Sequence, residues 1–158
     1  MPPAAQRHGP FLASVSLRSP LTSGFFLTPT QLMKTILVVD DSATMRRMIM
    51  AALRSVGQLS FDEAASGLQA IERLAVAPAD LVMLDLNMPD IHGLEVLRFL
   101  RSHEHYRHTP VVVLTTREDD ESREAAMRDG ATLYLTKPFA PAELAPQVRR
   151  LLSENTHG

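Results

Sequence analysis

Ile36-Leu37-Val38-Val39-Asp40-Asp41 is an apolar run rich in β-branched residues and closed by two carboxylates. No polar residue alternates within it, so it reads as a strand buried on both faces, as strands of parallel sheets are. The arrangement recurs along the chain. Leu81–Leu84 is followed by Asp85, Val111–Leu114 by Thr115, and Thr132–Leu135 leads to Lys137. Ligands of open α/β sheets bind outside the carboxyl ends of the strands. If these runs are parallel strands, the acids, the threonine and the lysine converge on one sheet edge, in a pocket suited to a divalent cation and a phosphoryl group.

Between the runs the apolar period changes to that of a helix. Met45, Ile49, Ala52, Leu53 and Val56 recur at three and four, which predicts a helix over 43–56 ending at Gly57. Leu59–Glu63 reads as a weaker strand. Ser66 or Gly67 opens a helix with Leu68, Ile71 and Leu74 on its apolar face, stopped by Pro78. Gly93–Arg101 is a third helix, 121–129 a polar fourth stopped by Gly130, and Ala140–Leu152 a fifth. Strands alternating with helices predict a single α/β domain: a flavodoxin-like, doubly wound, five-stranded parallel sheet of order 2-1-3-4-5 with five helices. In that order the switch point lies between the first and third strands, which end at Asp40-Asp41 and Asp85.

Composition narrows the function. The 158 residues carry a formal charge of −2 and a pI near 6.3, so nothing electrostatic points to nucleic acid or an anionic membrane. Cysteine is absent, which excludes disulfides and thiolate metal sites. No apolar run is long enough to span a bilayer, and the chain is expected to be cytoplasmic. Residues 1–32 are acid-free, contain Pro2, Pro3, Pro10, Pro20 and Pro29, and sustain neither apolar period. Met33 followed by the first strand resembles an initiator. Residues 1–32 are therefore expected to be a disordered extension or sequence upstream of the true start, with the domain at 33–154 and a tail at 155–158.

Carboxylates held this close repel, and alone at least one would have its pKa raised. A hard cation offsets the repulsion, and Mg²⁺ takes oxygen ligands while keeping several waters. Asp85 can then stay ionised and attack phosphorus as a carboxylate nucleophile. Lys137 offers a point charge for a phosphoryl oxygen and Thr115 a hydroxyl. Phosphoryl transfer needs mainly positioning and charge neutralisation, and the product would be an acyl phosphate on Asp85.

Ile36-Leu-Val-Val-Asp-Asp-Ser42, Asp85-Leu-Asn-Met-Pro89 with Gly93, Val113-Leu-Thr-Thr116 and Tyr134-Leu-Thr-Lys-Pro-Phe139 stand in this order. Singly each is a weak signal, but the ordered set resembles a response-regulator receiver domain of the stand-alone chemotaxis (CheY-like) type over residues 34–153. The resemblance implies that Asp85 is the phosphoacceptor and Asp41 a direct Mg²⁺ ligand. Asp40 would reach the metal mainly through water, with the Asn87 carbonyl completing the protein ligands. Thr115 and Lys137 would bind the phosphoryl group, and the Lys137–Pro138 bond would be cis. A histidine kinase would be the phosphodonor. Thr115 would move toward the phosphate and Tyr134 rotate inward, biasing the face made by the fourth helix, fifth strand and fifth helix toward a downstream target protein. The chain would catalyse only its own phosphorylation and dephosphorylation, as a monomer or weak dimer, in chemotaxis or motility. Asn87 and Arg117 occupy positions that tune acyl-phosphate lifetime in the family.

Other readings belong to other classes. A haloacid-dehalogenase-style hydrolase also uses an aspartyl phosphate, but it wants Asp-x-Asp after the first strand and usually a cap domain. A relay intermediate, a phosphate sink and a phosphate-independent docking module would share most of these residues. Only Ser153–Gly158 follow the last helix, so no DNA-binding output domain is expected. His92 replaces the Asp common before Gly93 and is expected to be inert, and Thr116 replaces the common Ala or Ser, narrowing access to the phosphoryl group. Glu104 with His103, His105 and His108 reads as a solvated loop, the charges of 117–124 as a solvated helix start. Arg46 and Arg47 read as an exposed helical face or a kinase contact. Met45, Met48 and Met50 read as packing residues, Met45 with a possible place at a partner surface.

Overall fold

In a computed structural model, which describes residues 33–155, five strands form one parallel sheet of order β2-β1-β3-β4-β5. They are β1 (Lys34–Val39), β2 (Leu59–Ala64), β3 (Leu81–Leu84), β4 (Val111–Thr115) and β5 (Leu133–Thr136). The helices are α1 (Ala43–Leu53), α2 (Gly67–Val76), α3 (Gly93–Ser102), α4 (Asp120–Arg128) and α5 (Pro141–Glu154). The expected fold class and strand order are thus observed. The expectations for residues 1–32 and for the tail beyond Asn155 lie outside the described residues.

Strand side chains alternate between two cores. Ile36 and Val38 of β1, with Met83 and Leu114, pack under Ile49 and Leu53 of α1 and Leu144 and Val148 of α5. Leu37 and Val39, with Leu84 and Val113, pack under Leu74 of α2, Val96, Leu97 and Leu100 of α3 and Ala126 of α4. This explains why β1 shows no polar alternation: both its faces are covered. Each such side chain, removed from water, contributes roughly 1.5–3 kcal/mol before entropy is counted.

Register aligns the strand ends. Val39 pairs with Ala64 on one side and Leu84 on the other, and Leu84 pairs with Val113. Thr115 pairs with Thr136. Asp40, Asp85 and Lys137 therefore leave the sheet at one edge. Helices start there on local caps: the Ser42, Ser66 and Asp119 side chains accept from the N–H groups of Met45, Gln69 and Ser122. The Lys137–Pro138 bond is cis, as expected.

Several local expectations change. The first helix ends at Leu53 and tightens into a 3-10 turn over Arg54–Val56, because Gly57 (φ 147°) takes a conformation almost confined to glycine. Leu68 lies outward, 53% exposed, whereas Gly67, Ala70 and Leu74 are buried. Gly67 must face the β3–α3 loop, where a Cβ would stand 2.8 Å from Ile91 Cβ, and this fixes the phase of α2. Met48 is exposed, while Met45 and Met50 pack half-buried against the core. Met48 is thus not a packing residue. No helix among the described residues is long and apolar enough to cross a membrane.

Candidate functional site

Asp40 follows β1 and is almost wholly buried. Its N–H donates to the Ala64 carbonyl at 3.1 Å, continuing the ladder to β2. Its Oδ1 accepts from the Ser42 N–H at 2.9 Å and its carbonyl from Arg46 Nη1 at 2.7 Å. Arg46 also donates through Nε to Glu63 Oε1 at 2.9 Å, so this arginine binds α1 to the ends of β1 and β2. It is therefore no free docking side chain, while Arg47 is exposed.

Asp85 follows β3 and is likewise buried, its N–H bonded to the Val39 carbonyl at 3.0 Å. Lys137, beyond β5, places Nζ 2.5 Å from Asp40 Oδ2 and 3.4 Å from Asp85 Oδ2. Its backbone N–H donates to the Thr115 carbonyl at 2.8 Å, tying it to the end of β4. Carboxylate oxygens of Asp40, Asp41 and Asp85 lie within 4.8 Å of one another, with Asp41 exposed at the mouth. Burial pushes the Asp85 carboxyl above its ordinary value, and the Asp40 charge adds to this; Lys137 and the Asn87 N–H oppose it.

The donor set is all oxygen and carries more negative charge than Lys137 balances. It fits a hard divalent cation and does not fit a soft one. The cluster can hold a metal ion, and the sequence-predicted Asp40, Asp41, Asp85, Thr115 and Lys137 are brought together.

Asn87 stands beside them. Its N–H donates to Asp85 Oδ1 at 3.2 Å, and its Nδ2 lies 3.2 Å from Thr116 Oγ1 and 3.4 Å from Thr115 Oγ1. Arg117 Nε donates to Asn87 Oδ1 at 2.8 Å. Thr115 is fully buried. Tyr134 lies inward, 4% exposed, and its hydroxyl donates to the Arg117 carbonyl at 2.8 Å. The Arg123 guanidinium sits 4.8 Å from the Tyr134 ring centre, a cation–π contact. Burial raises the Tyr134 phenol above its ordinary range, with the Asp119 charge adding and Arg123 opposing. Arg117 thus touches the β3–α3 loop with its side chain and Tyr134 with its backbone.

Two features were not foreseen. His92, expected to be inert, caps α3: its Nδ1 accepts from the Leu94 N–H at 3.2 Å. Asp90 bonds the first turn of α2 across the fold. Neither has a periodic signature. The capping pattern at His92 was open to inspection; the Asp90 contact was not.

A doubly wound parallel sheet with a carboxylate cluster, a threonine and a lysine at its switch-point edge defines a receiver. Residues 36–149 match the family model for the response regulator receiver domain, and the chain belongs to that family. It is 35% identical over 121 residues to chemotaxis protein CheY1 of Helicobacter pylori, covering 76% of this chain and 98% of that one. It is 35% identical over 116 residues to chemotaxis protein CheY-3 of Vibrio cholerae, covering 73% and 89%. Among solved structures, Vibrio cholerae chemotaxis protein CheY4 superposes with a TM-score of 0.70 at 33% identity, covering 76% of this chain and 99% of that one.

Proposed function

We propose that this chain is a response regulator of the CheY-like kind, which accepts a phosphoryl group on Asp85 from a histidine kinase and signals by docking to a target protein. The observation that carries this is the placement of Lys137 Nζ between Asp40 and Asp85 at the mouth formed with Asp41. Asp40, Asp41, Asp85 and the Asn87 carbonyl would hold Mg²⁺, which when bound neutralises the carboxylates and the phosphoryl oxygens. Asp85 supplies the attacking oxygen: its bond to phosphorus forms as the phosphorus–nitrogen bond of a phosphohistidine breaks, and the imidazole leaves with the electron pair. Lys137 turns from the carboxylates to an oxygen of the transferred group, and the Thr115 hydroxyl donates to another. On this reading the chain turns over no external substrate; it catalyses only its own phosphorylation and dephosphorylation.

The switch is the Thr115–Tyr134 pair. Movement of Thr115 toward the phosphoryl group frees space that the inward Tyr134 ring fills, and this biases the α4–β5–α5 face. The chemotaxis names of relatives matched over most of their length support a role in chemotaxis or motility; a role of that kind would place the chain in the cytoplasm.

Incubation with acetyl phosphate, with and without Mg²⁺, tests the chemistry by intact mass. One added phosphoryl group that requires Mg²⁺ and is absent in Asp85→Asn is the expected result. A folded protein that gains no adduct at any Mg²⁺ concentration overturns it in favour of a phosphate-independent docking module.

A further inference from the structure

The loop from Asp85 to Gly93 is anchored at two places. At its end, Gly93 packs so closely that an added Cβ would stand 2.5 Å from the Asp85 carbonyl oxygen, and its N–H donates to the Leu86 carbonyl at 3.2 Å. At its middle, Asp90 reaches across to α2, where Oδ1 accepts from the Gly67 N–H at 3.1 Å and Oδ2 from the Leu68 N–H at 2.9 Å. Ser66 Oγ accepts from the Gln69 N–H at 3.1 Å. The leading N–H groups of α2 are thus satisfied partly by its own cap and partly by a loop distant in sequence. A carboxylate taking both bonds at the positive end of a helix is held in position and in charge. These backbone bonds, Leu68 first, lower its pKa to about 2. Gly67 permits the approach, since a Cβ there would lie 2.9 Å from the Ile91 carbonyl oxygen. Only Met88 and Pro89 separate Asp90 from Asn87; Met88 packs on the core, and Pro89 has a fixed φ. The connection has little slack.

We propose that Asp90 is a positioning residue for the cation: by tying the β3–α3 loop to the first turn of α2, its carboxylate sets where the Asn87 carbonyl stands relative to Asp40, Asp41 and Asp85. This rests on the proposed role of the Asn87 carbonyl as a ligand. Groups that orient metal ligands typically change affinity by ten-fold or more when lost.

The test is calorimetric titration of the full chain with MgCl₂ alone, for wild type, Asp90→Ala, Asp90→Asn and Ser66→Ala, each with its melting temperature. Ser66→Ala weakens α2 from the same end without touching the loop, so it separates helix stability from loop position. Expected is a rise in Mg²⁺ Kd of about ten-fold for Asp90→Ala and a smaller rise for Asp90→Asn, which keeps one acceptor oxygen. Ser66→Ala should melt earlier and bind Mg²⁺ as wild type does. With acetyl phosphate, Asp90→Ala should need more Mg²⁺ for half-maximal rate and still approach the wild-type rate at saturation. Should Asp90→Ala not fold, Asp90→Asn carries the comparison. Wild-type Kd in the Asp90 variants, or an equal loss in Ser66→Ala, overturns the proposal. A wild type that binds no Mg²⁺ removes the ligand reading itself, and the proposal with it.

Discussion

Replacing Gly93 by alanine acts on stability and on chemistry through the same atoms. The new Cβ would meet the Asp85 carbonyl oxygen at 2.5 Å and Leu86 Cα at 2.7 Å, both backbone atoms that no rotamer change can move aside. Restoring ordinary contact needs a displacement of roughly 1 Å at the end of β3 or the start of α3, and overpacking of this kind costs about 1–3 kcal/mol. For a domain of this size that lowers Tm by about 4–12 °C. The residue displaced is Asp85, the proposed phosphoacceptor, and a misplacement of about 1 Å can slow a positioned reaction by about 100-fold. Gly57→Ala is the contrast. Nothing lies within 4 Å of a Cβ at Gly57, and the strain there comes only from its φ of 147°, about 1–3 kcal/mol. Thermal unfolding followed by circular dichroism, and the initial rate of phosphorylation by acetyl phosphate at saturating Mg²⁺, should separate the two. Gly93→Ala should lose both, and Gly57→Ala stability alone. A Gly93→Ala protein with wild-type Tm and rate, or equal slowing in Gly57→Ala, would refute the reasoning.

Lys137→Met removes the cation between two nearly buried carboxylates and should cost about 3–5 kcal/mol at neutral pH in EDTA, read as a fall in the urea midpoint; an unchanged midpoint would count against the pair. Asp85→Asn should act the other way. An acid whose folded pKa is raised destabilises the fold once ionised; the penalty is absent below its unfolded value near 3.8 and complete above its folded value. In EDTA the variant should therefore melt above wild type at pH 7, the advantage shrinking as pH falls toward about 4; a pH-independent difference would be the contrary result. Arg101→Met strips donors from the carbonyls of Gly130, Tyr106 and Thr109, which the guanidinium holds at 2.9, 3.0 and 2.8 Å. A loss of about 2–4 kcal/mol is expected with phosphorylation unchanged, checked by urea unfolding beside the acetyl phosphate assay.

What could be read along the chain was whatever a periodic pattern or a chain-end position carries. The unbroken apolar run at Ile36–Val39 announced a strand covered on both faces, and the residues just past each run announced the site edge. The phase of α2 is not legible along the chain, because the apolar positions Leu68, Ile71 and Leu74 form a plausible stripe by themselves. Only the close approach of Ile91 to Gly67 turns the helix so that Leu68 faces out. Arg46 looked like a surface charge, since nothing local says that Glu63 and the Asp40 carbonyl lie within its reach.

The sequence by itself determined the strands, the parallel order and the five side chains of the pocket, because strand and helix periods and strand-end positions are local properties. Tertiary structure alone decided how those side chains are held: Lys137 at 2.5 Å from Asp40, Arg117 bridging Asn87 and Tyr134, and Asp90 on the first turn of α2. Each is a contact between segments far apart in the chain, set by how closely loops can pack once the sheet has formed. No spacing within one segment encodes that distance.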